Sequence, residues 1–366
     1  MHLARLAKDL KILPCGARTC VHPPCIQSAA FLAALGCALA LLTTPACGKK
    51  HASPAWNSSA EPSHTAPAAT PPAAKSSKTA KPPHATTTAA EATTGLRFIA
   101  YNVNNWLTMD RVIDRTKHQS IPKPATEKRA VTQLLCRHTP DVIGICEIGT
   151  REDLAELQSA LQAGGLALPH AYYTGGGDEQ RHLGLLSRFP ITRTTPPAHL
   201  QFKLNGTHFT MSRGILDATI EARGKSYHLL GVHLKSKREV AEGDQEAMRF
   251  NEAILLRQHV DAILKAEPDA RLVVYGDFND TRGSAVLRTI TGSSNDPTYL
   301  TPLPVQDKQG QRWTHFWNLH DIYSRFDFIA VSQGLKPDVN FKTSRILDDP
   351  EWIDASDHRP LLAIFN

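Results

Sequence analysis

The stretch 95–366 lacks most of what would make it a small secreted scaffold or a strong nucleic-acid binder. It contains only two of the chain's seven cysteines, Cys136 and Cys146, so no disulfide framework holds it together. These are most simply two buried thiols, although export would permit a bond between them. It also lacks net charge, with 32 basic and 32 acidic side chains. The +6 of the whole chain belongs to residues 1–94, which carry nine Lys and Arg against three acids. A basic footprint spread over the whole domain is therefore excluded. Residues 48–94 contain no Leu, Ile, Val, Met or Phe, and Trp56 is their one large apolar side chain. Such a segment cannot offset the entropy of ordering, which predicts an extended, disordered tether. Internal repeats are absent. What remains is a body long enough to bury one sizeable core.

The other five cysteines (Cys15, Cys20, Cys25, Cys37 and Cys47) precede that body. The run 29–42, AAFLAALGCALALL, follows a segment bearing Arg5, Lys8, Lys11 and Arg18. As a helix it would reach roughly 21 Å, short of the ~30 Å hydrocarbon core of a bilayer. It reads as the apolar region of a secretory signal. Thr44-Pro45-Ala46-Cys47-Gly48 resembles the lipobox of bacterial lipoproteins, which implies lipidation at Cys47 and export to the cell envelope, at the periplasm or the outer surface. Thr44 stands where that motif usually has Leu, so a plain signal cleaved near Ala46 and an uncleaved anchor stay open. The expected organisation is a leader over 1–47, a linker over 48–94 and one domain over 95–366.

In the body, short β-like runs alternate with helical segments. Strands are expected over 96–102, 141–147, 226–233, 271–278, 326–331 and 361–365. Helical periodicity marks 127–137 and 245–265, the latter with Ala247, Phe250, Ile254, Leu255, Val260, Ile263 and Leu264 as one apolar stripe. Thr150 and Asp153 form a capping box for a further helix ending before Gly164-Gly165. Many strands with few helices predict an α+β sandwich of two packed sheets flanked by helices.

Nearly every apolar run stops at a residue suited to phosphate or metal chemistry: Asn102 and Asn104, Glu147, His233, Asp277 and Asn279. Asp327 lies inside one strand, and Asp357-His358 precede the last. One Asn or Asp at a strand end is ordinary turn chemistry, but four independent endings of this kind are not. In extended backbone, residues two apart share a face, which would aim Asn102 with Asn104, and Asp277 with Asn279, at one ligand each.

The motifs AYNVNNW, ICEI, VHLKSK, YGDFND, SRFDFIAVS and ASDHRPL, in that order, resemble those of the endonuclease/exonuclease/phosphatase superfamily. This group includes deoxyribonucleases, abasic-site endonucleases, inositol polyphosphate 5-phosphatases and bacterial sphingomyelinases. The resemblance covers 95–366 and implies a four-layered α/β sandwich with two mixed sheets. It also implies a divalent cation on Glu147, with Asn104 as auxiliary ligand and Asp357 as a second carboxylate. A set made of oxygens suits Mg²⁺ or Mn²⁺. By the same resemblance Asn102 belongs to the phosphate and water network, while Asp277 and Asn279 orient the attacking water. Asp327 and His358 are the carboxylate–imidazole dyad. His233 faces the phosphate as a second imidazole, with Lys235 as charge support. Arg188 and Arg213 are further candidates for the cleft.

The expected activity is that of an exported, metal-dependent phosphoesterase, monomeric and tethered to a membrane through its N-terminus. Nucleic acid leads as substrate, because extracellular nucleases often use this motif set with two histidines. Lipid-headgroup hydrolysis, of sphingomyelinase or inositol-phosphate type, is the alternative, although no exposed aromatic hairpin or stacking platform stands out in the sequence. A catalytically silent surface binding module is the third reading.

Overall fold

A computed structural model describes residues 95–366 except Glu242. The expectations for the leader, the linker and Cys47 lie outside the described residues. Two six-stranded mixed sheets pack face to face. The first runs in the order Arg345–Ile346, Leu361–Phe365, Leu96–Trp106, Val142–Ile148, His182–Ser187, His170–Thr174. The second runs Thr301–Pro302, Asp327–Val331, Leu272–Asp277, Lys225–His233, Ile215–Ala222, Ile191–Thr194. Each sheet is built around one parallel pair, Leu96–Trp106 with Val142–Ile148 and Lys225–His233 with Leu272–Asp277. Parallel neighbours need a crossover, and a helix supplies it in each case: Ala125–His138 in the first and Gln245–Ala266 in the second.

The residues between the sheets form the central core, where Phe98 and Tyr275 meet edge to face at 4.9 Å. Tyr275 requires glycine opposite it: a Cβ on Gly144 would lie 2.0 Å from its ring. Outside the first sheet, Ala130, Val131, Leu134 and Leu135 of one helix and Leu154, Leu157 and Leu161 of the next close a second core. The helix Gln245–Ala266 closes a third over the other sheet. The expected four layers are all present.

That last helix buries Val260 and Leu264 as expected, with Leu255 and Ile263 partly buried beside them, but its N-terminal half turns another face inward. Met248, Ala253, Leu256, Val260 and Leu264 point inward together with Arg249 and Glu252, while Phe250 is exposed. Glu252 can be buried because Ser212 N (2.8 Å) and Lys235 N (2.6 Å) donate to it. Arg249 is held by Asp280 at 3.2 Å. Charged residues thus sit on the core side wherever they tie down loops, and an apolar count cannot see that. The capping box forms as expected, with Thr150 N donating to Asp153 Oδ2 at 2.7 Å and Asp153 N to Thr150 Oγ1 at 3.3 Å. Cys136 and Cys146 are both free thiols. Among the described residues, no helix is long and apolar enough to cross a membrane.

Candidate active site

The two parallel pairs carry polar residues at the same, carboxyl, ends of their strands. In the second sheet His233, Asp277 and Asp327 stand opposite one another in register on three adjacent strands. In the first sheet Asn102 pairs with Cys146, and Glu147 follows as the extra residue of a β-bulge. Cys146 pairs with Leu183 and Ile148 with His182, so Glu147 has no partner opposite and turns with φ 65°. Bulges of this kind bend a strand end and re-aim its side chain.

The pairs two residues apart do not share an extended face. Asn104 and Asn279 adopt left-handed φ values of 47° and 49°. Asn102 Oδ1 accepts from Asn104 N at 3.0 Å, and Asp277 Oδ1 accepts from Asn279 N at 2.8 Å. The same side-chain-to-backbone turn therefore ends one strand in each sheet. It spends one oxygen of Asn102 and Asp277 on the backbone and aims the remainder at the cleft.

Asn102 is the hub. Its Nδ2 donates to Glu147 Oε1 at 3.2 Å and to Asp277 Oδ2 at 3.1 Å, and lies 3.5 Å from His358 Nε2. The Asp277 Oδ2 atom is also 3.5 Å from His233 Nε2 and 3.7 Å from His358 Nε2. His358 Nδ1 meets Asp327 Oδ2 at 2.8 Å. Asp357 is half-exposed, and its carboxylate lies 3.9 Å from His358 Nε2. Asn102, His233, Asp277, Asp327 and His358 are all buried.

Burial holds His233 well below its ordinary value, and the charges of Arg213, His358 and Arg181 lower it further, so it is neutral. Burial opposes charge on His358 too, but Asp327 and then Asp277 outweigh it and raise that imidazole well above its ordinary value. Burial also raises Asp277, with Asp327 and Glu147 adding to the effect.

Asn279 sits beside Asp277, its Nδ2 donating to Leu234 O at 2.9 Å. Lys235 is fixed through its backbone, and among the described residues its ammonium forms no ion pair. Asn104 and Asp357 line one groove with Ser356. Arg213 is buried near His233 and pairs with Asp178 at 3.3 Å. Arg188 lies at the other end of its sheet, against Asp141 at 2.9 Å, away from the cleft.

Several contributors escaped the sequence reading. Ser356 Oγ donates to Asn102 O at 2.8 Å and accepts from His358 N at 3.0 Å, tying the His358 loop to the end of the Leu96–Trp106 strand. Its signal was the serine before Asp357-His358. The Thr314 hydroxyl accepts from Phe326 N and Asp327 N. The His315 ring lies 4.7 Å from the His358 ring, with its Nε2 3.8 Å from Asp357. Lys123, fully buried, donates to Asn104 O at 3.0 Å. These residues come from outside the strand-end pattern.

The donor chemistry fits a hard divalent cation. Carboxylate and amide oxygens predominate, and the mutual repulsion of Asp277, Asp327 and Glu147 is what a cation would relieve. Two groups bring three candidate ligand atoms within 4.8 Å of one another: Asp277, Asp327 and His358, and His315, Asp357 and His358.

Residues 100–358 match the Endonuclease/Exonuclease/phosphatase family, and the chain belongs to it. Its members are metal-dependent phosphoric ester hydrolases, and this chain is a phosphoesterase of that superfamily. Solved structures share the fold at low identity. An endonuclease/exonuclease/phosphatase from Bacteroides vulgatus is 19% identical with a TM-score of 0.52, over 75% of this chain and 99% of that one. A family protein from Leptotrichia buccalis is 16% identical with a TM-score of 0.51, over 74% and 99%. The human Nocturnin catalytic domain is 16% identical with a TM-score of 0.52, over 74% and 94%. No curated protein matches the chain.

Proposed function

We propose that this chain is an exported phosphodiesterase using Mg²⁺ or Mn²⁺, with Glu147, Asn104 and Asp357 as the oxygen ligands. The observation that carries this reading is the convergence of Glu147, Asp277 and His358 around one amide, Asn102 Nδ2, with His233 Nε2 3.5 Å from Asp277 Oδ2. A bound cation would supply Lewis-acid charge at the phosphate. Asp277 is the acceptor for a proton of the attacking water, because Asn279 N and Asn102 Nδ2 fix both of its oxygens. His358, charged and held by Asp327, donates a hydrogen bond to a nonbridging phosphate oxygen. His233, neutral, can receive or return a proton on the leaving-group side. Asn102 stays in the phosphate and water network, and Lys235 adds positive charge at the rim.

For location, the apolar run before Cys47 supports export and a membrane tether at that cysteine. Cys47→Ala should release the protein from membranes, and unchanged association would overturn lipidation.

The deciding assay is hydrolysis of bis(p-nitrophenyl) phosphate with Mg²⁺, with Mn²⁺ and in chelator. Cation-dependent turnover that disappears in Asp277→Asn supports the reading. No turnover with either cation leaves the silent binding module.

A further inference from the structure

Arg249 and Glu252 stand three residues apart on the helix Gln245–Ala266, so they share one face, and both are buried. The Glu252 carboxylate is divided between two loops: Oε1 accepts from Ser212 N at 2.8 Å and Oε2 from Lys235 N at 2.6 Å. Both oxygens accept, so a carboxylate is required there; an amide would turn an N–H toward one of the two donors. Burial raises the Glu252 carboxyl, while the Ser212 and Lys235 amides and the Arg213 charge oppose that rise. One turn earlier, Arg249 Nη1 donates to Lys235 O at 3.1 Å and its Nε to Asp280 Oδ2 at 3.2 Å. Two side chains of one helix therefore grip the N–H and the C=O of the same residue.

The loops they hold all lead into the site. Lys235 follows His233 by two residues, and Ser212 precedes Arg213, whose charge acts on His233. Between His233 and Lys235, Leu234 N donates to Asp277 O at 2.9 Å, and Leu234 O accepts from Asn279 Nδ2 at 2.9 Å. Asp280, the partner of Arg249, is the residue after Asn279. A single helical turn thus fixes the segments that follow His233, precede Arg213 and follow Asn279.

Packing alone does not call for charge at these two positions. Their neighbours Ala253, Leu256 and Leu234 form an apolar layer, which Leu or Met would extend without the desolvation that a buried guanidinium and carboxylate suffer. What an apolar pair could not do is hold loop peptides by both their donor and their acceptor. The Lys235 ammonium has no ion-pair partner among the described residues, whereas Lys237 is paired with Asp280 at 3.1 Å. A lysine on a four-carbon stem places its charge only as well as its backbone is placed. We infer that Arg249 and Glu252 are positioning residues, which clamp the Lys235 peptide and the Ser212–Arg213 segment so that the free Lys235 ammonium is held to the substrate phosphate. This rests on the phosphodiesterase reading and adds how one of its cations is placed.

The test is a double-mutant cycle in the full-length protein, read as kcat/KM for bis(p-nitrophenyl) phosphate in Mg²⁺. Lys235→Ala and Glu252→Gln should each lower it about tenfold, and the double variant should stay within about twofold of Glu252→Gln, since a misplaced ammonium has little left to lose. Losses that multiply would show that Glu252 does not act through Lys235, and an unchanged rate in Lys235→Ala would overturn the inference outright. Arg249→Lys keeps a cation for Asp280 but cannot fork to Lys235 O as well, so the same cycle on that variant covers a Glu252→Gln that does not fold. Failure of both to fold would make the pair scaffold and end the assignment. Hydrogen exchange in EDTA reads the clamp without turnover: in Glu252→Gln the Ser212 and Lys235 amides should exchange about tenfold faster, with Val274 of the central strand unchanged. Unaltered exchange at Lys235 overturns the clamp itself. A wild type with no turnover would sink the phosphodiesterase reading, and the catalytic role of the pair with it, even where exchange responds as expected.

Discussion

His233 and His358 approach the same atom, Asp277 Oδ2, at 3.5 and 3.7 Å, and their surroundings drive their proton affinities in opposite directions. Burial and then the charges of Arg213, His358 and Arg181 lower His233, whereas His358 has Asp327 on its far nitrogen. Two imidazoles on one carboxylate thus hold different protonation states at neutral pH, which divides the acid and base work between them.

Replacing Asp327 by Asn should lower the His358 midpoint, because the nearest charge favouring imidazolium is gone. An NMR titration of the imidazole reads this directly. The stability that His358 contributes is full below its unfolded value of about 6.5 and is lost as pH rises through the raised folded value. Denaturation of the variant should therefore show less loss between neutral and alkaline pH. A His358 midpoint unchanged in Asp327→Asn would mean that the dyad does not set its charge.

Asn102→Ala should reduce kcat by about 10²–10³-fold, the usual loss for removing a preorganised donor at a reacting centre. It strips a hydrogen bond from both Glu147 and Asp277. Retained circular dichroism with full activity would show the amide to be scaffolding.

Activity should disappear in EDTA and return with Mg²⁺ or Mn²⁺, because the ligand set proposed around Glu147 is oxygen. Glu147→Gln should raise the cation concentration needed for half-maximal rate. Full turnover in excess chelator would remove the cation from the mechanism.

Gly144→Ala should destabilise the domain by about 1–3 kcal/mol, since the new methyl overlaps the Tyr275 ring and the sheets cannot separate locally. Tyr275→Phe should be nearly neutral, because its hydroxyl is buried without a partner. Urea titrations of Gly144→Ala, of the ring-removing Tyr275→Leu and of their double mutant give the coupling, because Tyr275→Phe keeps the ring that the methyl meets. Additive effects would place the strain elsewhere.

What was legible in the sequence follows from what local patterns record. Apolar runs ending at Asn102, Glu147, His233 and Asp277 fixed the strands and their polar ends, and these ends do converge. The left-handed turns at Asn104 and Asn279 were not legible, because alternation assumes extended backbone. Nor were Thr314, His315 and Lys123, which reach the site by tertiary packing of loops. The buried face over Met248, Glu252 and Leu256 was misread for a related reason: a charge satisfied by loop amides packs as if it were apolar.

Glu147 offers the sharpest separation of function from stability. Its φ of 65° is costly for a side chain with a Cβ, by about 1–2 kcal/mol, and glycine bears it freely. The carboxylate also adds to the repulsion around Asp277. Glu147→Gly forfeits the hydrogen bonds from Asn105 N at 2.9 Å and from Asn102 Nδ2 at 3.2 Å; water can replace them at this partly exposed end, and Asn102 Nδ2 keeps its bond to Asp277 Oδ2. In chelator, where no cation rewards the carboxylate, the variant should unfold about 2 °C above the wild type and be inactive on addition of Mg²⁺. A residue that lowers stability where it stands and is indispensable to turnover is what a strained functional position requires. Equal or lower melting of Glu147→Gly in chelator would show that the bulge is relaxed around its glutamate.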